Sequence, residues 1–432
     1  MPLLAIVGRP NVGKSTFFNR LTESRDSIVD DQPGVTRDRV YGHAEWAGKQ
    51  FSVVDTGGFV AHSEDRFEAA IREQVAIAIQ EADAIMFVVD VTVGVTDLDQ
   101  DVAALLRKSG VPVLILANKA DNEERRWQAS EFYELGVGEV FAASSINGMG
   151  TGDLLDAVVE LLPDHEEEED DRLRVAIIGR PNVGKSSLTN AWLGEERSIV
   201  TEISGTTRDA VDAVMKYHGR EIVLVDTAGL RKRTRIRENV EFYALLRTER
   251  AIESCDIAVL LLDSVEGLES QDIKVLKRAE ELRKGLVIGL NKWDLVEKET
   301  NTVRDYERQI RERLKTLDYV PIVTFSAVTG QRTGKLLETV LAVSERLDKR
   351  IPTAKLNEVI LPAIERHGPP MYRNARVKIK YATQTKARPP VFVFFTNQPK
   401  GIREDYRRYL ENRLREAFDF EGVPLTISAR KK

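Results

Sequence analysis

The sequence has 432 residues, 42% hydrophobic and 31% charged, a composition typical of a soluble globular protein and not of a disordered chain. This length predicts two or three domains. The sequence contains no run of 18 apolar residues, the length needed to span a bilayer, and its N-terminus has no signal-peptide pattern. The single cysteine, Cys255, excludes an internal disulfide and fits a reducing compartment, so we expect a cytoplasmic protein without a membrane span.

Apolar runs alternate with helical segments over the first third of the chain. The runs LLAIVG, FSVVDT, AIMFVVD and VPVLILANK are short and continuous, as in strands buried on both faces of a parallel sheet. Between them, RFEAAIREQVAIAIQEA and LDQDVAALLRKS have the spacing of amphipathic helices. This alternation predicts an α/β, doubly wound and mostly parallel sheet that binds its ligand at the carboxyl ends of the strands.

The same pattern returns as a second copy of the whole domain. GRPNVGKS occurs at Gly8–Ser15 and again at Gly179–Ser186, an offset of 171 residues. The offset is too long for a solenoid repeat and has the size of a domain. Further matched motifs, DTGG with DTAG and NKAD with NKWD, follow in the same order, so we predict a duplicated domain.

GRPNVGKS has the form G-x-x-x-x-G-K-S, and in both copies it follows a predicted strand and opens a predicted helix. The glycines allow the backbone to approach phosphate oxygens closely, with its N–H groups pointing inward. We expect Lys14 and Lys185 to reach the β- and γ-phosphates. Both domains are therefore predicted to be P-loop nucleotide-binding domains.

The motif N-K-x-D selects the base. Asp121 and Asp294 are placed to accept hydrogen bonds from the N1–H and the exocyclic amine of guanine, and adenine offers neither donor there. Asn118 and Asn291 are expected to contact the base and brace the loop. The segments SSING and SAVTG follow the next strand, where a backbone N–H is expected to meet guanine O6. The predicted ligands are GTP and GDP.

A water-orienting glutamine is missing from both copies. The segment D-x-x-G is followed by Phe59 in the first copy and Leu230 in the second, and neither side chain orients water. We therefore expect slow intrinsic hydrolysis and another means of stabilising the transition state. Asn11 and Asn182 are candidates to bind a monovalent cation, K⁺, beside the phosphates; the alternative is that each asparagine only shapes its loop.

The predicted site residues share matched spacing in the two copies. In the first copy they are Gly8, Arg9, Pro10, Asn11, Val12, Gly13, Lys14, Ser15, Asp55, Thr56, Gly57, Gly58, Phe59, Asn118, Lys119, Ala120, Asp121, Ser144 and Ser145. In the second copy they are Gly179, Arg180, Pro181, Asn182, Val183, Gly184, Lys185, Ser186, Asp226, Thr227, Ala228, Gly229, Leu230, Asn291, Lys292, Trp293, Asp294, Ser326 and Ala327. The predicted Mg²⁺ ligands are Ser15, Thr36, Asp55, Ser186, Thr207 and Asp226.

The remaining sequence predicts a linker and a third domain. We expect a first GTPase domain at residues 1–162, an acidic flexible linker at 163–172 and a second GTPase domain at 173–350. Residues 351–432 are predicted to form a small α+β domain, ordered as helix Leu356–Arg366, strand Ala375–Ala382, strand Val391–Thr396, helix Arg403–Phe418 and strand Pro424–Ser428.

Charge is spread unevenly along the chain. Residues 351–432 hold 17 Lys and Arg against 8 Asp and Glu, a balance of +9, while the first 350 residues have a balance of −15. A basic domain on an acidic body favours an anionic partner such as RNA, and a solvated basic face is an equal alternative on charge alone.

These motifs resemble those of one family, the bacterial double-Era-like GTPases called Der or EngA, of the TrmE/Era-like class. The resemblance is carried by the two GRPNVGKS loops, by PGVTRD, DTGG, DTAG, NKAD and NKWD, and by YATQTKARPPVFVFFTN and YRRYLENRLREAFDFEGVPL in the tail. It implies a KH-like third domain, stimulation by K⁺, and a role in late assembly of the large (50S) ribosomal subunit. No Gly-x-x-Gly occurs between Ile351 and Lys432, so the usual KH grip on nucleic acid is absent and docking onto the neighbouring GTPase domain is expected.

The sequence therefore favours a two-site GTPase switch that is monomeric and acts on the 50S subunit and its rRNA. A second hypothesis is an RNA-modification or translation-coupled factor in which GTP binding positions a catalytic partner. A metabolic P-loop kinase is excluded by the two N-K-x-D motifs.

Overall fold

The computed structural model describes residues 1–23, 41–56, 67–163, 172–194, 201–204, 211–226, 240–297 and 301–431. The chain forms two compact units, Met1–Asp170 with Ile236–Leu246 and Asp171–Arg235 with Arg247–Lys432. Most of the predicted acidic linker, residues 164–171, lies outside the described ranges. Within those ranges, no helix has the length and apolar character needed to cross a membrane.

The first copy of the repeated domain is a sheet covered by helices. Its strands are β1 (Leu3–Val7), β2 (Tyr41–Trp46), β3 (Lys49–Asp55), β4 (Ala84–Asp90), β5 (Val113–Asn118) and β6 (Glu139–Ala142). Its helices are α1 (Lys14–Glu23), α2 (Phe67–Glu81), α3 (Asp97–Ser109), α4 (Glu123–Gln128) and α5 (Thr151–Leu161), with a 3₁₀ helix at Ala129–Leu135.

The strand order is β2-β3-β1-β4-β5-β6, and every pair is parallel except β2 with β3. The central strands β1, β4 and β5 are buried along their whole length, which explains why they are continuous apolar runs in the sequence. Helix α3 begins at a capping box, in which the Thr96 and Asp99 side chains each accept a hydrogen bond from the other's backbone N–H.

The second copy repeats this architecture. Its strands are β7 (Leu173–Ile178), β8 (Thr201–Ser204), β9 (Val211–Tyr217), β10 (Arg220–Val225), β11 (Ile257–Asp263), β12 (Gly285–Asn291) and β13 (Ile322–Thr324). Its helices are α6 (Lys185–Gly194), α7 (Val240–Ser254), α8 (Ser270–Glu281), α9 (Thr302–Leu314) and α10 (Thr333–Leu347), with 3₁₀ helices at Trp293–Leu295 and Lys315–Leu317.

The second sheet has the order β13-β12-β11-β7-β10-β9-β8 and extends the first pattern by one antiparallel strand, β8, at its edge. Strand β9 is antiparallel to β10, and the neighbouring strands β10, β7, β11, β12 and β13 are all parallel to one another. Cys255 is buried just before β11, and burial raises the pKa of its thiol to about 12, in line with a structural role.

The C-terminal domain has the predicted α-β-β-α-β order. Its elements are α11 (Thr353–Arg366), β14 (Ile379–Lys386), β15 (Val391–Thr396), α12 (Glu404–Phe418) and β16 (Thr426–Lys431), with a 3₁₀ helix at Pro399–Gly401. β15 pairs antiparallel with β14 and parallel with β16.

One predicted strand of this domain, Ala375–Ala382, was misplaced. The strand begins at Ile379 and continues to Lys386. Tyr372 and Ala375 instead pair with each other across Arg373 and Asn374, which both have positive φ angles, so the chain turns tightly where a strand was expected. The other predicted elements of the domain differ from the observed ones by three residues or fewer at each end.

The C-terminal domain shares one hydrophobic core with the second copy of the repeated domain, in which Val343 and Leu347 of α10 are buried together with Phe420 and Val423. The backbone is joined as well, because the Leu286 N–H donates to the Gly422 carbonyl at 2.7 Å and the Gly422 N–H donates to the Tyr319 carbonyl at 2.8 Å. The Arg415 guanidinium lies 3.6 Å from the centre of the Tyr319 ring. These contacts make the third domain an extension of the second copy.

Candidate nucleotide sites

The first phosphate loop connects β1 to α1, at the carboxyl edge of the sheet. Gly8 and Gly13 have φ angles of 144° and 100°, and a Cβ atom on them would lie 2.3 Å from the Val88 carbonyl oxygen and 2.2 Å from the Asn118 amide nitrogen. Only glycine fits both positions. Asn11, at the top of the loop, has a φ of 63°, a left-handed conformation that asparagine tolerates better than most residues.

The second loop has almost the same geometry. Gly179, Asn182 and Gly184 have φ angles of 141°, 63° and 101°, and a Cβ on Gly184 would lie 2.0 Å from the amide nitrogen of Asn291. The side chains of Asn11 and Asn182 are both exposed. The two loops are therefore conformational copies as well as sequence copies.

The loop lysines are held in the same way. Lys14 Nζ donates to the Gly8 and Arg9 carbonyls, both at 2.8 Å, and Lys185 Nζ donates to the Gly179 and Arg180 carbonyls at 2.6 and 2.7 Å. Burial lowers the pKa of each ammonium to about 8, and at Lys14 it outweighs the opposing effect of Asp55. Lys14 is buried and Lys185 half-buried, and each lies beside the loop that would receive phosphate.

The asparagine of N-K-x-D ties three loops of the first site together. Asn118 Nδ2 donates to the Val12 carbonyl at 2.7 Å, and its Oδ1 accepts from the backbone N–H and the hydroxyl of Ser145, both at 2.9 Å. In the second site Asn291 bonds the Val183 carbonyl at 2.8 Å and the Ala327 N–H at 2.9 Å. The expected bracing role of both asparagines is present.

The lysines of N-K-x-D, Lys119 and Lys292, have left-handed φ angles of 67° and 61° and bond Asp90 and Asp263, each at 2.6 Å. Burial by itself would raise the pKa of these two carboxyls, but the hydrogen bonds from the lysines and from backbone N–H groups outweigh it and lower the pKa. The ion pairs fix the direction of both lysine stems.

The carboxylates expected to read guanine are exposed. Asp121 accepts a hydrogen bond from Arg125 at 2.6 Å, and its side chain is 46% exposed, so a ligand can reach its carboxylate. Asp294 lies in the 3₁₀ helix Trp293–Leu295 and is also exposed. Ala120 and Trp293, the variable residues of the two motifs, are buried beneath them.

Oxygen ligands suited to Mg²⁺ meet in the first site. Ser15 Oγ donates to Asp55 Oδ2 at 2.5 Å, which places the two predicted metal ligands in contact. Mg²⁺ prefers such oxygen donors and normally completes its shell with phosphates and water. The described part of the chain holds no group of three or more His, Cys, Asp and Glu side chains that would bind a metal without help from a nucleotide.

The corresponding aspartate of the second site is held differently. Asp226 has a φ of 57°, and its N–H donates to Asp212 Oδ1 at 3.1 Å. The other oxygen of Asp212 accepts from the Arg174 guanidinium at 2.8 Å. Arg174 therefore helps to set the conformation of Asp226, the predicted metal ligand, through their shared partner Asp212.

The loop arginines, Arg9 and Arg180, are tied to matching helices, α3 after β4 in the first copy and α8 after β11 in the second. Arg9 Nε lies 3.4 Å from Asp99 Oδ2, and Asp99 is fully buried at the start of α3. Arg180 lies 3.2 Å from the matching Asp272, and it also pairs with Glu266 at 3.2 Å and Glu269 at 2.6 Å. Sequence reasoning included the arginines but did not anticipate these acidic partners.

The remaining predicted residues divide between those that the structure places and those that it does not describe. Thr56 lies beside β1, where its hydroxyl donates to the Ile6 carbonyl at 2.9 Å, and Ser144 and Ser326 begin the loops that follow β6 and β13. The predicted residues outside the described ranges are Thr36, Gly57, Gly58, Phe59, Thr207, Thr227, Ala228, Gly229 and Leu230.

Comparison with known proteins identifies the families that this chain resembles. A family model described as "50S ribosome-binding GTPase" matches residues 3–119 and 174–292, and one described as "KH-domain-like of EngA bacterial GTPase enzymes, C-terminal" matches residues 350–430. The chain is 52% identical to GTPase Der of Christiangramia forsetii and 51% identical to GTPase Der of Cytophaga hutchinsonii. Each similarity covers 100% of this chain and 99% of the relative.

Among solved structures, the crystal structure of Era in complex with MgGDPNP and nucleotides 1506–1542 of 16S ribosomal RNA has 22% identity and a TM-score of 0.32. It covers 60% of this chain and 92% of that chain.

The chain has two doubly wound P-loop domains, each with a phosphate loop and an N-K-x-D motif, followed by one C-terminal KH-like domain. These features define a tandem GTPase, which is a GTP-binding and GTP-hydrolysing switch. The chain belongs to the GTPase Der family, with which it is about half identical along its entire length.

Proposed function

We propose that this protein is a two-site GTPase switch in late assembly of the 50S ribosomal subunit. The observation that carries the proposal is that both GTPase domains match the family of 50S ribosome-binding GTPases and that both keep a complete, geometrically equivalent phosphate loop. The GTP-bound form would bind the subunit precursor and its rRNA, and hydrolysis would release it. The proposal includes the domain boundaries at residues 162, 172 and 350, a monomeric chain and a cytoplasmic location.

In this proposal the side chains of each site have separate tasks. The lysines Lys14 and Lys185 exchange their loop carbonyls for phosphate oxygens, and the asparagines of N-K-x-D hold the base-reading segments against the phosphate loop. Asp121 and Asp294 accept the guanine donors. Ser15 and Asp55 in the first site, and Ser186 and Asp226 in the second, would hold Mg²⁺, which would supply positive charge to offset that of the phosphates.

Two further parts of the proposal concern the rate. Because hydrophobic residues follow D-x-x-G in both copies, slow intrinsic hydrolysis is expected, with K⁺ assisting beside Asn11 and Asn182. The exposed amide groups of these asparagines support this role. Replacement by glycine keeps the left-handed backbone and removes only the side chain.

Turnover of the wild type in K⁺ and Na⁺ buffers of equal ionic strength tests the cation role. The wild type should be faster in K⁺, and an N11G/N182G variant should lose this preference. Equal turnover in the two salts would remove K⁺ from the account.

The C-terminal domain offers a route from the second nucleotide site to a ribosomal partner. Strand β12 begins beside the Leu286–Gly422 hydrogen bond and ends at Asn291 of the N-K-x-D motif. A basic domain attached to the first residues of that strand is well placed to respond to the nucleotide at its end. Its balance of +9 charges favours rRNA as the contact.

Co-sedimentation with 50S subunits tests the proposed function. The chain loaded with a non-hydrolysable GTP analogue should sediment with 50S particles, and the GDP-loaded chain should sediment with them less. A D121N/D294N variant, which loses both guanine-reading carboxylates, is the control that should not respond to the analogue. No association in any nucleotide state would reject the ribosomal role and favour the second hypothesis, an RNA-modification or translation-coupled factor in which GTP binding positions a catalytic partner. Sedimentation velocity separately tests whether the chain is monomeric.

A further inference from the structure

Arg20, which belongs to none of the motifs, joins helix α1 to the loop Ser144–Gly148 of the first site. We call this loop, and the matching loop Ser326–Gly330 of the second site, the base-reading loop, because a backbone N–H there is expected to meet guanine O6. Arg20 lies on α1, two turns after Lys14. Its Nε donates to the Ser145 carbonyl at 2.6 Å and its Nη2 donates to the Ile146 carbonyl at 2.5 Å. Ser145 and Ile146 lie 125 and 126 positions after Arg20 in the chain, so the contact is produced by the fold and is not visible as a sequence pattern.

The two hydrogen bonds extend the asparagine network described above. Ser145 is held from its N–H side by Asn118 and from its carbonyl side by Arg20, and Asn118 in turn holds the Val12 carbonyl of the phosphate loop. A charged guanidinium that bonds two consecutive carbonyls gives stronger and more directional restraint than a neutral donor. In the first site, hydrogen bonds thus join the phosphate loop, its helix and the base-reading loop to one another.

Within the ranges that the structure describes, α6 makes no matching contact with the corresponding loop of the second site. The residue at the matching position of α6 is Ala191, which has no polar group. Its neighbour Trp192 donates from Nε1 to the Thr333 carbonyl at 3.2 Å, which is beyond the base-reading loop at the start of α10. In that loop the side chain of Val328 is 82% exposed, and Ile146 of the first site is similarly exposed at 79%, so the two loops differ in their attachment and not in their burial.

We propose that Arg20 is a positioning residue for guanine in the first site and that it makes this site release nucleotide more slowly than the second. The proposal rests on the proposed guanine-binding function of the site. A loop that is held before binding loses less conformational freedom when the base arrives, and the bound state is correspondingly longer lived. The second site, without this connection, is the faster one to exchange.

The release rate of a fluorescent GDP from single-site chains tests the proposal. Full-length chains carrying Lys185→Ala or Lys14→Ala report the first or the second site, and unlabelled GDP in excess starts the release. Arg20→Ala should accelerate release from the first site about tenfold, as expected for loss of a charge-assisted contact to two carbonyls. Release from the second site should not change, and Arg20→Lys should give an intermediate rate at the first.

A base analogue separates positioning from general loss of structure. A 2-aminopurine nucleoside diphosphate lacks O6, so its weaker binding does not use an amide of the Ser145 loop. Arg20→Ala should weaken GDP binding and leave binding of this analogue unchanged, which reduces discrimination about tenfold. The matched control is Arg107→Ala. Arg107 also donates to a carbonyl, that of Leu135 at 2.9 Å, but Leu135 precedes strand β6 whereas the Ser145 loop follows it.

The possible failures are distinguishable. If the Lys185→Ala chain binds no labelled GDP, the first site is not a guanine site and the proposed function fails with it. If that chain binds GDP but Arg20→Ala changes release less than about twofold, accelerates both sites alike, or weakens GDP and the 2-aminopurine analogue equally, only the role of Arg20 is overturned.

Discussion

The two nucleotide sites are alike where they would touch phosphate and different where they are attached to the rest of the chain. The φ angles of the two loops agree within 3°, and both loop lysines bond two carbonyls of their own loop. The surroundings differ: Arg20 holds the first base-reading loop, while an Arg174–Asp212 pair holds Asp226, the predicted metal ligand of the second site. Duplication has preserved the chemistry and allowed the exchange of nucleotide to differ.

The largest expected effect tests the similarity. Lys14→Ala should reduce GTP turnover at the first site by at least about 100-fold, because the buried ammonium is the main positive charge offered to the phosphates. Lys185→Ala should do the same at the second site, and each single variant should retain the turnover of the other site. Turnover abolished by either variant alone would show that the sites are not separate units. Steady-state phosphate release from both variants and the double variant gives the answer.

The attachment of the C-terminal domain should matter mainly for the second site. Gly422 has a φ of 77°, and a Cβ there would lie 2.5 Å from a Val343 methyl and 2.9 Å from the Leu286 carbonyl oxygen. Gly422→Ala should therefore lower the free energy of unfolding of this unit by about 3 kcal/mol and accelerate GDP release from the second site.

Gly368→Ala is the control within the same domain, because the nearest atom to its Cβ would be at an ordinary 3.6 Å. Urea unfolding measures the stability, and release rates from the single-site chains measure the coupling. An equal change in release at both sites would contradict a connection that runs through β12.

The loop arginines provide a smaller, matched contrast. Asp99→Asn removes the one acidic partner that Arg9 has among the described residues, and it should cost about 2–3 kcal/mol of unfolding free energy because a buried guanidinium loses its counter-charge. Asp272→Asn leaves Arg180 with Glu266 and Glu269 and should cost less than about 1 kcal/mol.

The pKa of Asp272 supports this order. Burial raises it despite the nearby arginine, so the folded protein already favours the neutral carboxyl more than the unfolded chain does, and a neutral asparagine is tolerated. Thermal unfolding of the two variants by calorimetry checks the prediction. A larger loss for Asp272→Asn would show that the cluster around Arg180 acts as a unit.

The smallest effect concerns pH and should be the same at both sites. The pKa of each free loop lysine is about 8, and a bound polyphosphate favours the ammonium form. Affinity for GDP should be constant below pH 8 and fall by up to about tenfold per pH unit above it, as binding then requires uptake of a proton. Calorimetric titrations in two buffers of different ionisation enthalpy measure that proton. Constant affinity up to pH 9.5 at one site only would separate the two lysines.

The sequence predicted the parts of this molecule that depend on local pattern. Strands β1, β4 and β5 were recognisable because a strand buried on both faces is an unbroken apolar run. The antiparallel strands β2 and β9 were not predicted, because they carry polar residues such as His43 and Lys216 among their apolar ones.

The contacts that distinguish the two sites could not be predicted in this way. Arg20 on α1 reads as one charged residue of an amphipathic helix, and its partners are backbone carbonyls, which leave no trace in the sequence. Asp99 and Asp272 cap their helices, but their second contact, to the loop arginines, depends on how close the folded sheet brings the loops after β1 and β7 to helices α3 and α8, which follow β4 and β11.

The central claim is that two sites of equal chemistry exchange nucleotide at different rates, and one stopped-flow experiment tests it most directly. The wild-type chain is loaded with two equivalents of fluorescent GDP and mixed with excess unlabelled GDP. The account predicts two phases of equal amplitude, with the slow phase becoming as fast as the other in the R20A variant. A single phase in the wild type, or a slow phase that R20A leaves unchanged and K185A removes, would contradict it.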